Sequence, residues 1–111
     1  MHWNSVRSLV MLGLLWSLVW IVPAQAHKVN IFAYVEDGKI YTESYFPDGK
    51  PVEGGGIEVL DSQNQKVAEG VTNKDGKCAI PVPKKDDLTI VINASMGHKN
   101  SYVLKKSELG E

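Results

Sequence analysis

The chain has 111 residues, 12 basic and 13 acidic side chains, and one cysteine, Cys78. That balance lacks the basic excess of a nucleic-acid binder, and a lone cysteine excludes an internal disulfide framework. The length holds one small domain with one core, and leaves no room for a second lobe or a large catalytic cleft.

Residues 1–7 are short and polar and carry Arg7, the only arginine, while residues 8–22 form an apolar run of about fifteen, the size of a secretory h-region. All three tryptophans lie before Pro23. Pro23 breaks the helix, and Ala24-Gln25-Ala26 supplies the small-x-small pattern that signal peptidase reads. The reading is a signal peptide over residues 1–26, cleaved after Ala26, and an exported, periplasmic domain over residues 27–111. A retained anchor is the alternative, for which the run falls short of the roughly 20 apolar residues that span a bilayer. Eleven basic and all thirteen acidic residues lie beyond Ala26, so the domain carries a formal charge of −2.

From residue 28 onward no stretch shows helical periodicity. Short β-rich runs alternate with turn signals. Residues 29–34 are the first predicted strand, closed by Glu36-Asp37-Gly38, whose Asp-Gly pair suits a tight hairpin. Residues 40–46 are the second, ended by the proline-flanked turn 47–51. The third covers 57–60, the fourth 67–72, the fifth 77–82 and the sixth 88–93. A seventh covers 102–104 after a loop at 94–100. Ile57 and Val59, Ile80 and Val82, and Leu88, Ile90 and Ile92 recur at period two, marking an inward face. Gly54-Gly55-Gly56 reads as a mobile approach to the third strand, without the strand-loop-helix context of a phosphate cradle. Seven strands at this spacing predict an all-β, immunoglobulin-like or transthyretin-like sandwich.

Gly49-Lys50-Pro51-Val52, Ile57-Glu58-Val59 and Asp75-Gly76-Lys77 together resemble the carboxypeptidase regulatory-like family. The resemblance covers about two thirds of the exported segment and implies a transthyretin-like sandwich. It implies no particular chemistry, since that module serves display, scaffolding and binding alike. Cys78 stands where the family usually places an aromatic.

Two histidines remain after processing, His27 and His98. His27 would carry the free α-amino group, and its amine and Nδ1 can chelate one ion in a six-membered ring. A third nitrogen from His98 would complete a planar site of the kind favoured by Cu(II) or Ni(II). Gly97 permits a sharp turn beside His98, and Met96 offers a soft thioether. Plain alternatives are a tolerated polar first residue for His27, an exposed loop histidine for His98 and an apolar plug over the core end for Met96. Strand parity places the start of the first strand and the end of the sixth at the same end of the sandwich. The loops 47–56 and 73–76 belong there too, with Asp48, Glu53 and Asp75 as candidate outer carboxylates that orient an imidazole. Cys78 shares a face with Ile80 and reads as a buried thiol, although its early place in the fifth strand also allows a ligand role. Tyr41, Glu43 and Tyr45 read as an outward stripe or a contact patch for a partner.

The run from His27 to Val35, the run from Tyr41 to Lys50, and Met96-Gly97-His98 resemble the periplasmic accessory proteins of nickel and cobalt energy-coupling-factor transporters. The likeness spans nearly the whole exported segment. It implies a metal-binding component of nickel or cobalt transport with no enzymatic activity, binding a divalent ion through His27 and His98, with the Met96 thioether as a further candidate ligand, and passing it to the transporter's membrane subunits. Many members of that group continue into a C-terminal transmembrane helix, whereas this chain reads to Glu111 without one, so the expectation is a soluble or separately docked component. Two other functions compete. One is a structural or adhesive module without metal. The other is a copper histidine-brace oxidase, disfavoured because no tryptophan remains to build a broad substrate face.

Overall fold

The computed structural model describes residues 29–110. The signal-peptide reading and His27 lie outside these residues. Within them the chain forms seven strands: β1 (Asn30–Glu36), β2 (Lys39–Tyr45), β3 (Gly56–Leu60), β4 (Lys66–Val71), β5 (Lys77–Pro81), β6 (Leu88–Asn93) and β7 (Lys99–Leu104). They pair antiparallel into two sheets, ordered β1-β2-β5 and β4-β3-β6-β7. The protein is thus a small all-β sandwich of the immunoglobulin- or transthyretin-like class, as the strand spacing predicts.

Alternation dictates which face each strand buries. In β2, Ile40, Thr42 and Ser44 point inward and are buried, while Tyr41, Glu43 and Tyr45 point outward. Ile57 and Val59 from β3 meet Leu88, Ile90 and Ile92 from β6, and all five are almost wholly excluded from solvent. Each such side chain contributes about 1.5–3 kcal/mol through burial. Val29, Ala33, Val52, Ile80, Leu104 and Leu109 complete the core.

The turns follow their residues. Asp37 and Gly38 adopt φ of 50° and 75° between β1 and β2, which is the conformation that an Asp-Gly hairpin turn requires. Two expectations need correction. The seventh strand begins at Lys99, three residues earlier than predicted, and shortens the expected 94–100 loop. Its first residues, Lys99, Asn100 and Ser101, are all exposed, so no apolar alternation announces them. The glycine run is also no loose approach to β3. A Cβ on Gly55 would lie 2.7 Å from Val52 Cγ1 and 2.8 Å from Ile92 Cδ1. The Gly55 N–H also donates to Thr72 Oγ1 at 2.8 Å, so this glycine is a packed crossing over the core.

Candidate metal-binding end of the sandwich

His98 leaves the turn that joins β6 to β7. The Ala94 N–H donates to the His98 carbonyl at 2.8 Å, and the His98 N–H donates back to the Ser95 carbonyl at 3.3 Å. This closes a loop over Ser95–Gly97 in which Met96 and Gly97 both have positive φ, 61° and 76°. The His98 side chain is half-buried, with its ring edge-on to Phe46 at a centroid distance of 6.4 Å. Phe46 is itself packed against the core, so the imidazole rests on a fixed platform.

Around that contact runs an open groove of about 430 Å³, lined by Phe46, Pro47, Asp48, Ser95, Met96 and His98. Asp48 enters it from the β2–β3 connection, where its Oδ1 accepts the Lys50 N–H at 3.0 Å and holds the carboxylate in place. Of the three carboxylates expected at this end, Asp48 alone lines the groove. Glu53 and Asp75 are exposed outside it. Asp75 belongs to a turn whose organising group is Asn73 Oδ1, which accepts the N–H groups of Asp75 and Lys77 at 2.9 and 3.0 Å. Met96 is 91% exposed, which excludes the apolar-plug alternative for it.

The start of β1 lies at the same end. Asn100 Nδ2 donates to the Val29 carbonyl at 2.8 Å, so the residue just before β1 is tied to β7, two positions beyond His98. Neither this clamp nor the Phe46 platform was predicted from sequence. The Met-Gly pair was the available signal for the turn, since Gly there marks positive φ.

Cys78 lies elsewhere. It faces inward opposite Thr42 and lines a separate groove between β4 and β5 that does not reach His98. A Cβ on Gly70 would stand 2.7 Å from its Sγ, so the sulfur fills the space that glycine leaves. Burial pushes the Cys78 thiol pKa up, and the nearby N–H groups of Val71 and Ala79 oppose that rise in part. Such a thiol is a packing element, and the structure does not bring it to the histidine. The tyrosine stripe faces outward as expected. Tyr34 stacks on Tyr41 at 5.4 Å, and Phe32 bridges Tyr34 and Tyr102 at 5.9 and 5.4 Å.

Among the described residues no three His, Cys, Asp or Glu side chains gather into a group able to hold a metal. His27 lies outside these residues. Comparison of the chain with protein-family models, curated proteins and solved structures finds no match.

Proposed function

We propose that the protein is an exported carrier of a divalent transition-metal ion, nickel or cobalt, for uptake across the cytoplasmic membrane. The ion would be held by the amine and imidazole of His27 and the imidazole of His98, then passed to the membrane subunits of an energy-coupling-factor transporter. Nitrogen donors suit such ions, and affinity alone would also admit copper. The observation that carries this reading is the Asn100–Val29 hydrogen bond, because it ties the entry to β1 beside the turn that bears His98. His27 stands two residues before Val29 in the sequence, and two residues of chain span at most about 7 Å. Asp48 in the groove supplies a negative charge that favours a cation.

Calorimetric titration with Ni(II) of protein beginning at His27 tests the reading. One residue added before His27, or His98→Ala, should weaken binding more than about tenfold, a loss of about 1.4 kcal/mol or more. Unchanged affinity in both variants would sink the proposal. The exposed Phe32 and Tyr34, the latter stacked on the half-buried Tyr41, favour a second reading, a structural or adhesive module without metal, because exposed contiguous aromatics mark interaction surfaces. A wild-type protein that takes up no Ni(II) at all would leave that reading standing.

A further inference from the structure

Each sheet of the sandwich ends in two edge strands, β1 and β5 in one, β4 and β7 in the other. An open edge invites pairing with another chain, and proteins guard against it with charge, proline or bulges. Three of these edges are guarded. β5 runs from Lys77 to Pro81, β4 carries Lys66 and Glu69 and shifts register against β3 at Leu60, and β7 opens with the exposed Lys99, Asn100 and Ser101. β1 has no such guard from Ile31 to Val35, a stretch without charge, proline or glycine. Its Phe32 and Tyr34 are 44% and 39% exposed.

The bonding direction of β1 follows from its neighbour. The Ser44 N–H donates to the Gly76 carbonyl at 2.8 Å, and the Ser44 carbonyl accepts the Val52 N–H at 3.0 Å. The backbone of Ser44 thus faces away from β1. Ile31 stands opposite Ser44 in the antiparallel register, and Ala33 and Val35 follow at period two. The N–H and C=O groups of these three residues therefore point to the edge that β2 does not cover. Val29 has the same parity, and its carbonyl is the one that Asn100 bonds from β7.

The strand is also self-complementary. Read outward from Ala33 in either direction, Asn30-Ile31-Phe32-Ala33-Tyr34-Val35-Glu36 gives an aromatic, then a β-branched, then a polar residue. A two-fold interface needs a surface that matches itself in this way. We propose that β1 pairs antiparallel with β1 of a second copy of this chain, about a two-fold axis at Ala33. Ala33 then faces its own counterpart, Ile31 faces Val35 of the second copy, Phe32 faces Tyr34, and Asn30 faces Glu36. Aromatic meets aromatic, and no like charges are opposed. Ile31, Ala33 and Val35, whose backbone groups point to the open edge, are the residues that exchange N–H···O bonds across the axis. Tyr34 already stacks on Tyr41 at 5.4 Å, so the aromatic row of the outer face continues into the second copy. The product is one six-stranded sheet, ordered β5-β2-β1-β1-β2-β5. Such pairing goes beyond the carrier reading and needs no metal.

Sedimentation of protein beginning at His27, with EDTA present so that no ion bridges two copies, is the first test. It should show monomer at about 1 µM and dimer at about 500 µM, as befits a small interface. Over the same rise in concentration, amide hydrogen exchange at Ile31, Ala33 and Val35 should slow at least about threefold, while that of β7 stays unchanged. Phe32→Lys with Tyr34→Lys brings lysine against lysine across the axis and should hold the protein monomeric. Phe32→Glu with Tyr34→Glu should do the same alone, and an equimolar mixture of the two double variants should form a mixed dimer. The proposal is overturned by a wild type that stays monomeric at the higher concentration. A dimer in which the β1 amides exchange at the monomer rate overturns it too, since another surface would then be paired, and so do lysine variants that dimerise as the wild type does. Should the double variants fail to fold, exchange in the wild type alone decides.

Discussion

Asn100 reaches from the exposed edge of β7 to the carbonyl of Val29, the last residue before β1, and closes a seam between the two sheets at 2.8 Å. Val29 is wholly buried, so this carbonyl accepts its bond at the margin of the core. Loss of one such bond costs about 0.5–1.5 kcal/mol. Asn100→Ala should therefore lower the urea midpoint modestly and leave the cooperativity of unfolding unchanged. If the start of β1 positions a metal donor, nickel affinity should drop several-fold in the same variant. A normal stability with normal affinity would show that the clamp positions nothing.

The interior of the three-stranded sheet carries two hydroxyls that gain nothing from their burial. Among the described residues, Thr42 Oγ1 and Ser44 Oγ are buried and have no hydrogen-bond partner. An unpaired buried hydroxyl costs about 1–3 kcal/mol by desolvation. Thr42→Val keeps the branched shape and removes the cost, so it should stabilise the domain by about 1 kcal/mol. Equilibrium urea unfolding of the two proteins decides the matter. A destabilised Thr42→Val would show that the hydroxyl has a partner after all.

Most of the fold was legible because alternation and turn chemistry agree along the chain. Ile40, Thr42 and Ser44 against Tyr41, Glu43 and Tyr45 read as two faces, and Asp37-Gly38 reads as a hairpin. The start of β7 was not legible, because Lys99, Asn100 and Ser101 lie exposed on an edge strand where nothing demands apolar residues. At the candidate site, strand parity brought the right loops to one end. Parity says nothing of which loop crosses beside which turn, so Asp48 was not separable from Glu53 and Asp75. Phe46 read only as a strand end, since the aromatic platform depends on a partner 52 positions later in the chain, His98.

Gly70 and Cys78 should behave as one packing unit at the β4–β5 edge. A methyl group on Gly70 would press on Cys78 Sγ at 2.7 Å and on Ile80 Cδ1 at 3.1 Å. Gly70→Ala should cost about 1–3 kcal/mol, as overpacking does. Cys78→Ala opens the space that the new methyl needs, so the double variant should recover part of that loss. A double-mutant cycle of thermal melts measures the coupling. Additive effects would mean that the strain falls on Ile80 or the backbone instead.

Acid sensitivity should trace to Asp61, whose side chain is only 3% exposed at the β3–β4 turn. The N–H groups of Gln65 and Gln63 donate to its Oδ1, each at 2.9 Å, and Lys84 Nζ donates to Oδ2 at 3.2 Å. The Gln65 N–H, with Lys84 and the Gln63 N–H, holds the carboxyl below its usual range, against the opposing effect of burial. A carboxyl whose pKa is lowered by folding stabilises the native state above its unfolded value and loses that contribution as pH falls through its folded value. Stability should thus be steady from neutrality to about pH 4 and decline below it. Asp86, lowered by the Ser62 hydroxyl and N–H, should add to the decline. Asp61→Asn gives up the ion pair with Lys84 and cannot titrate. It should be less stable than the wild type at pH 7, and its urea midpoint should fall less between pH 5 and pH 3. An equally steep acid decline in that variant would move the responsibility from Asp61 to Asp86 and the remaining carboxylates.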